Sequence, residues 1–229
     1  METVKASRWT KGRALLAGGL VLGVGAAATL AAWTDDEWVF GGSGNGDGTG
    51  PNTPGTGVYR MQQNTWAGAS GAVKWTDEKD ANGGALTFTV DPGKLIPGKT
   101  VYSPMQLRTV AGSEALDVSL AEGIQSALNR GADNSQALYA ALTYGVFKGV
   151  GKAACEAGTV SGGSEVVPAG SALTTASATT FPLAAGTDAA TPGEPENLCF
   201  ALTLPATASA DLQGLNTVPV WRFTSSVGQ

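Results

Sequence analysis

The 229-residue chain has no histidine, only two cysteines, and few charged (14%) or aromatic (7%) residues. Without an imidazole it cannot supply a His general base, a Ser-His-Asp or Cys-His pair, or a helical His-Glu-x-x-His zinc site. Two cysteines cannot complete a four-Cys zinc site. The balance of 14 Lys plus Arg against 19 Asp plus Glu argues against nucleic acid, because phosphate binding needs a basic face whose counterion release drives affinity. No catalytic set, metal site or cofactor is expected. A hydrophobic content of 42% with 33 glycines points to a folded chain rich in strands and turns.

The charge is unevenly placed. Lys5, Arg8, Lys11 and Arg13 precede an uncharged stretch, residues 14–32, dominated by Ala, Gly and Leu. This basic-then-apolar layout is that of a secretory signal peptide. The rival is a membrane anchor, for which the stretch reaches the lower length limit. Thr29 and Ala31 suit the −3 and −1 positions of a signal peptidase site, which puts cleavage between Ala31 and Ala32. Cleavage there takes away four basic residues and Glu2, moving the net charge from −5 to −8. Export implies an oxidising compartment, where Cys155 and Cys199 most economically form one disulfide. A free nucleophilic thiol is the alternative, with no histidine to activate it.

Residues 32–40, AWTDDEWVF, place Trp33, Trp38 and Phe40 around Asp35, Asp36 and Glu37. A terminal segment this aromatic is expected to be buried, as a strand of its own domain or in a neighbour's sheet. Residues 41–57 are almost entirely Gly, Pro and small polar residues, a linker with a coil span of about 20–25 Å. Its NGDGTG run resembles a calcium loop, but counting from Asn45 puts Thr56 where a bidentate Glu is required.

Residues 58–229 read as a β domain. LTFTV (residues 86–90) and ALDVSL (115–120) alternate with period two, and DPGKLIPGK carries two Pro-Gly turns. In VYSPMQLRTV, Pro104 predicts an edge, bulge or bend. A helix competes over residues 122–141; the region 133–147 is ambiguous, and strand is favoured by LTYGVF. VVPAGSAL, TTFPLAA, LCFALTLP and VPVWRFTSS are further strands, with a loop over 187–197. About eight regularly spaced strands predict an all-β, antiparallel β-sandwich.

The export segment RALLAGGLVLGVGAAATLAAWTDDEW, together with LIPGKTVYSPMQLRT, LCFALTLPATASADLQG and the terminal VWRFTSS, resembles exported proteins with the SipW-dependent type of signal peptide, the TasA and camelysin group, in its actinobacterial branch. The resemblance implies a jelly-roll β-sandwich, export through a dedicated signal peptidase of the SipW type, and cleavage between Ala31 and Ala32. It further implies assembly into extracellular fibres of a biofilm matrix, the segment with Trp33, Trp38 and Phe40 completing an adjacent subunit's sheet. The Gly-rich linker departs from the family pattern.

Three functions follow as expectations. The first is a secreted structural surface or matrix protein, whose partners are copies of itself or cell-surface components and which meets the membrane only through its leader. The second is an adhesin or carbohydrate binder, with Trp66, Trp75 or Tyr102 as stacking platforms. The third, a camelysin-like metallopeptidase, would need a zinc site of carboxylates alone, and the densest cluster, Asp77, Glu78 and Asp80, reads as a solvated turn.

Overall fold

From ALDVSL onward, the apolar runs LTYGVF, VVPAGSAL, TTFPLAA, LCFALTLP and VPVWRFTSS each contribute a paired strand. A computed structural model describes residues 57–67, 71–79, 83–89, 91–127 and 134–227. The chain divides into Met1–Gly55 and Thr56–Gln229, and every described residue belongs to the second unit. The leader, Ala31 and Ala32, the segment with Trp33, Trp38 and Phe40, and the linker up to residue 56 lie outside the described residues.

Ten strands, numbered in chain order, form three antiparallel sheets among the described residues. The largest joins β1 (Met61–Asn64), β2 (Lys99–Thr109), β8 (Glu196–Leu204), β5 (Thr143–Lys148) and β6 (Ser164–Ala172), in that spatial order. The second places β3 (Leu116–Leu120) between β10 (Phe223–Val227) and β7 (Phe181–Leu183). The third is a two-residue pairing of β4 (Ile124–Gln125) with β9 (Pro219–Val220). Among the described residues helix is confined to α1 (Gln136–Ala141), α2 (Lys152–Glu156) and two 3-10 turns.

Burial follows the pattern of side chains. In β3, Leu116, Val118 and Leu120 are buried while Asp117 and Ser119 lie on the other face. In β8 both faces are covered: Leu198, Phe200, Leu202 and Leu204 enter the main core, and Cys199 and Ala201 a smaller cluster with Phe147, Val150 and Cys155. A strand covered on both faces reads as a continuous apolar run, which is why LCFALTLP lacks alternation. The main core draws on both larger sheets. Phe223 of β10 meets Phe200 of β8 edge-on at 6.3 Å and Phe181 of β7 at 6.5 Å.

Several expectations need correction. LTFTV does alternate between half-buried and exposed, and Leu86 and Phe88 pack on the core, but no described residue of it joins a ladder. Its main chain is held instead by Thr89 N–H donating to the Tyr102 carbonyl and by the Ser103 hydroxyl donating to that of Thr87. The ambiguous region 133–147 divides: Leu138 and Ala140 are helical, because Ser135 caps the helix and its hydroxyl accepts the Leu138 N–H at 3.2 Å. Strand begins only at Thr143. VPVWRFTSS divides between two sheets, with the break at Trp221 and Arg222. Pro104, for which an edge, bulge or bend is expected, lies inside β2, opposite Cys199, at a local edge. Because the Tyr102 carbonyl points away from β8, alternation turns position 104 the same way, and β1 reaches only as far as Gln106. Proline is tolerated there because that stretch of β2 is locally an edge.

Gly145 marks the bulge between β5 and β6, where a Cβ would lie 2.8 Å from the Ala169 Cα. Beside it, the Tyr144 hydroxyl donates to the Thr175 carbonyl and its ring stacks on Trp221 at 5.5 Å. Burial pushes the Tyr144 pKa up to about 12, with Tyr139 adding to the shift and Trp221 opposing it. The unfolded tyrosine titrates near pH ~10, so the folded state holds this proton more tightly. That contribution is complete below pH ~10 and is lost as pH rises through about 12. Urea midpoints measured from pH 9 to 12 are therefore expected to fall, and Tyr144→Phe to flatten the fall. An unchanged slope in the variant would show that another group controls alkaline stability.

Candidate functional site

The outer face of the large sheet is stapled. Cys155 of α2 is bonded to Cys199 of β8, with a Cα separation of 5.5 Å, and no cysteine is free. Tyr102 is half-buried against the same cluster, and a Cβ on Gly158 would lie 2.9 Å from its ring. The thiol chemistry weighed as an alternative is thereby removed.

Near the β1 edge, three strands are cross-tied by side-chain amides. Asn64, Gln106 and Asn197 are in register on β1, β2 and β8; Asn64 donates to Gln106 at 3.0 Å and Gln106 to Asn197 at 2.9 Å. Asn64 is wholly buried, and its Oδ1 accepts the N–H groups of Trp66 and Lys74. Those bonds hold Trp66 in a left-handed conformation, φ +50°, that a bulky residue rarely adopts. Asn64→Leu removes the acceptor for both N–H groups, and a loss of about 2–3 kcal/mol is expected in chemical denaturation. A loss below about 0.5 kcal/mol would mean that water replaces the amide.

Of the expected stacking platforms, Trp66 is only 9% exposed, and Trp75 has one face covered by the Arg108 guanidinium, 4.0 Å from the ring centroid. Asp77 pairs with Arg60 and, at 3.8 Å, with Lys79; Glu78 is exposed, and Asp80 lies outside the described residues. No group of three or more Cys, Asp or Glu able to hold a metal occurs among the described residues. No helix among them is long and apolar enough to cross a membrane.

What the fold does present is a set of sheet edges, protected to different degrees. On the outer side of β1, Gln63 and Thr76 exchange two backbone hydrogen bonds of 2.9 Å. β6 carries Pro168, and Gly170 at φ +82°. β7 is three residues long and contains Pro182. Proline, bulges and short length are devices that blunt an edge. β10 has none of them: its sequence is Phe-Thr-Ser-Ser-Val, without proline, glycine or charge, and its outer side has no strand partner among the described residues.

The direction of its free groups is fixed by the pairing with β3. The Arg222 carbonyl accepts the Ala121 N–H at 2.9 Å, so positions 222, 224 and 226 face β3. The main-chain groups of Phe223, Ser225 and Val227 therefore point outward. At the Val227 end lies a shallow depression of about 260 Å³ lined by Tyr59, Glu114, Leu116, Asp117, Pro182 and Val227. Tyr59 is 46% and Val227 44% exposed, and neighbouring Val58 is 43% exposed. Neither Glu114 nor Asp117 has an ion-pair partner among the described residues.

This edge and its terminal depression were missed in the sequence. No protein-family model and no curated protein matches the chain.

Proposed function

We propose that this chain is a secreted structural protein of the cell surface or extracellular matrix, whose work is self-association through β-sheet edges. The observation that carries the reading is the edge of β10, which has neither proline nor bulge nor, among the described residues, a strand partner on its outer side, the kind of surface that monomeric proteins ordinarily blunt. The disulfide supports it, because such bonds persist in oxidising compartments. So does the packing of the two larger sheets into one core, which favours a β-sandwich of the jelly-roll kind. The resemblance to TasA and camelysin proteins supplies the remainder: export by a SipW-type peptidase, cleavage between Ala31 and Ala32, and fibres in which the segment with Trp33, Trp38 and Phe40 adds to an adjacent subunit.

The test is the protein recovered from the medium of expressing cells. Its N-terminal residue is expected to be Ala32, and electron microscopy of concentrated material is expected to reveal fibres that disappear when residues 32–40 are deleted. Retention in the cell membrane with residues 1–31 intact, or an absence of any assembly, would overturn the reading.

A further inference from the structure

The terminal depression and the charge next to β10 fit one another only between two molecules. Arg222 immediately precedes β10, is exposed, and has no ion-pair partner among the described residues. Glu114 and Asp117 sit at the opposite end of the same strand, beside Val227. Within one chain the length of β10 separates them.

We infer that a second copy of this chain pairs its β10 antiparallel with this β10 about a twofold axis at Ser225, placing Arg222 of each copy at the other's depression. The inference rests on the self-association reading and gives it a specific interface.

Three features of the edge lead to this arrangement. Centring the twofold at Ser225 pairs Phe223 with Val227 of the second copy, Ser225 with Ser225, and Val227 with Phe223. These are the positions whose main-chain groups point outward, so each pair exchanges two hydrogen bonds. The same register brings the exposed Val227 against the half-buried Phe223 of the second copy on the core side of the joined sheets. It also sets Arg222 one position beyond Val227 of the second copy, on the face that carries Asp117. Its backbone then lies two inter-strand steps, about 10 Å, from position 115 of that copy and two residues along from Asp117, about 12 Å in all, a gap that an extended arginine and a carboxylate close together.

Charge selects this occupant. The depression offers two unpaired carboxylates, an exposed tyrosine ring and apolar walls, a chemistry suited to a guanidinium. The aromatic segment 32–40 carries three acids and no base, so it would set carboxylates against carboxylates there. A twofold contact also closes on itself, so fibres need a further contact elsewhere. An edge of five residues buries less than the ~1,000 Å² of a stable interface, so the dimer is weak and forms at high concentration.

The experiment uses the full chain in two measurements. In the first, Ser225→Cys is exposed to mild oxidant; paired positions of this type lie about 5.5 Å apart at Cα, within disulfide range. A covalent dimer joined through the introduced thiols is expected, and Ser119→Cys, one strand inward, is expected to give none. In the second, sedimentation velocity compares the wild type with Arg222→Glu, Asp117→Arg and the double variant. Each single variant is expected to weaken dimerisation about tenfold or more, and the double to restore it to within a few-fold of wild type. Self-association that persists with no crosslink at 225 and no charge rescue would overturn this interface while leaving the broader reading intact. A crosslink from position 225 to Trp38→Cys, in place of the symmetric dimer, would assign the edge to the N-terminal segment. A monomer at every concentration would overturn both.

Discussion

Phe200→Ala is expected to lower the unfolding free energy by about 3–5 kcal/mol, the range for truncating a fully buried phenylalanine. Phe200 is 2% exposed at the centre of β8, opposite Ser103 of β2 and Val146 of β5. Its ring lies 5.3 Å from Trp221 and 6.3 Å from Phe223, and so ties the large sheet to the segment that runs into β10. Removing it leaves a cavity between the sheets and deprives both partner rings of their contact. For a domain of this size the loss corresponds to a fall in Tm of roughly 6–20 °C. Urea denaturation followed by tryptophan fluorescence measures it directly, and a loss under about 1 kcal/mol would mean that the two sheets do not share this core.

The second large effect is expected from the disulfide. Replacing both Cys155 and Cys199 by alanine releases a closure of 44 residues, worth about 4 kcal/mol in the chain-entropy model. The bond fastens α2 to the outer face of β8, where both sulfurs are wholly buried and Tyr102, Phe147 and Val150 pack around them. Because α2 spans only five residues, it has little stability of its own once released. Hydrogen exchange is therefore expected to show α2 losing protection before β2 and β8. Thermal unfolding of the double variant, or of the wild type with reductant present, is expected some 5–15 °C lower. Equal midpoints with and without reductant would remove the staple from the account.

How far the sequence reveals this fold depends on where each strand finds its partner. ALDVSL is legible because one face of β3 is buried, and alternation records that directly. LCFALTLP is legible as an apolar run because α2 and the disulfide cover the outer face of β8. LTFTV carries the same alternation as ALDVSL, yet none of its described residues joins a strand ladder, since their burial comes from lying along β2. Periodicity reports burial, and pairing is a separate matter. QALYAA is ambiguous because its alternate residues suit a strand, whereas the Ser135 hydroxyl three residues before Leu138 starts a helical turn.

The candidate site is less legible still. Phe223 to Val227 pairs with Leu116 to Leu120, more than a hundred residues earlier, so neither stretch announces that β10 ends at an edge. Arg222, Glu114 and Asp117 are unremarkable surface charges in the sequence. Only the topology, by leaving β10 outermost and setting the two acids beyond Val227, gives them a common geometry. The disulfide is the exception: a chain with only two cysteines offers one intramolecular pairing, Cys155 with Cys199.

The central claim, self-association through an open sheet edge, is most directly tested by sedimentation velocity of the purified protein over a wide concentration range. The account predicts a weight-average mass that rises from monomer towards dimer and larger species with concentration, and that falls back when Ser225→Pro blocks the β10 edge without lowering the unfolding free energy by more than about 1–2 kcal/mol. A mass that stays monomeric at every concentration, or an association that Ser225→Pro leaves untouched in a folded chain, would contradict it.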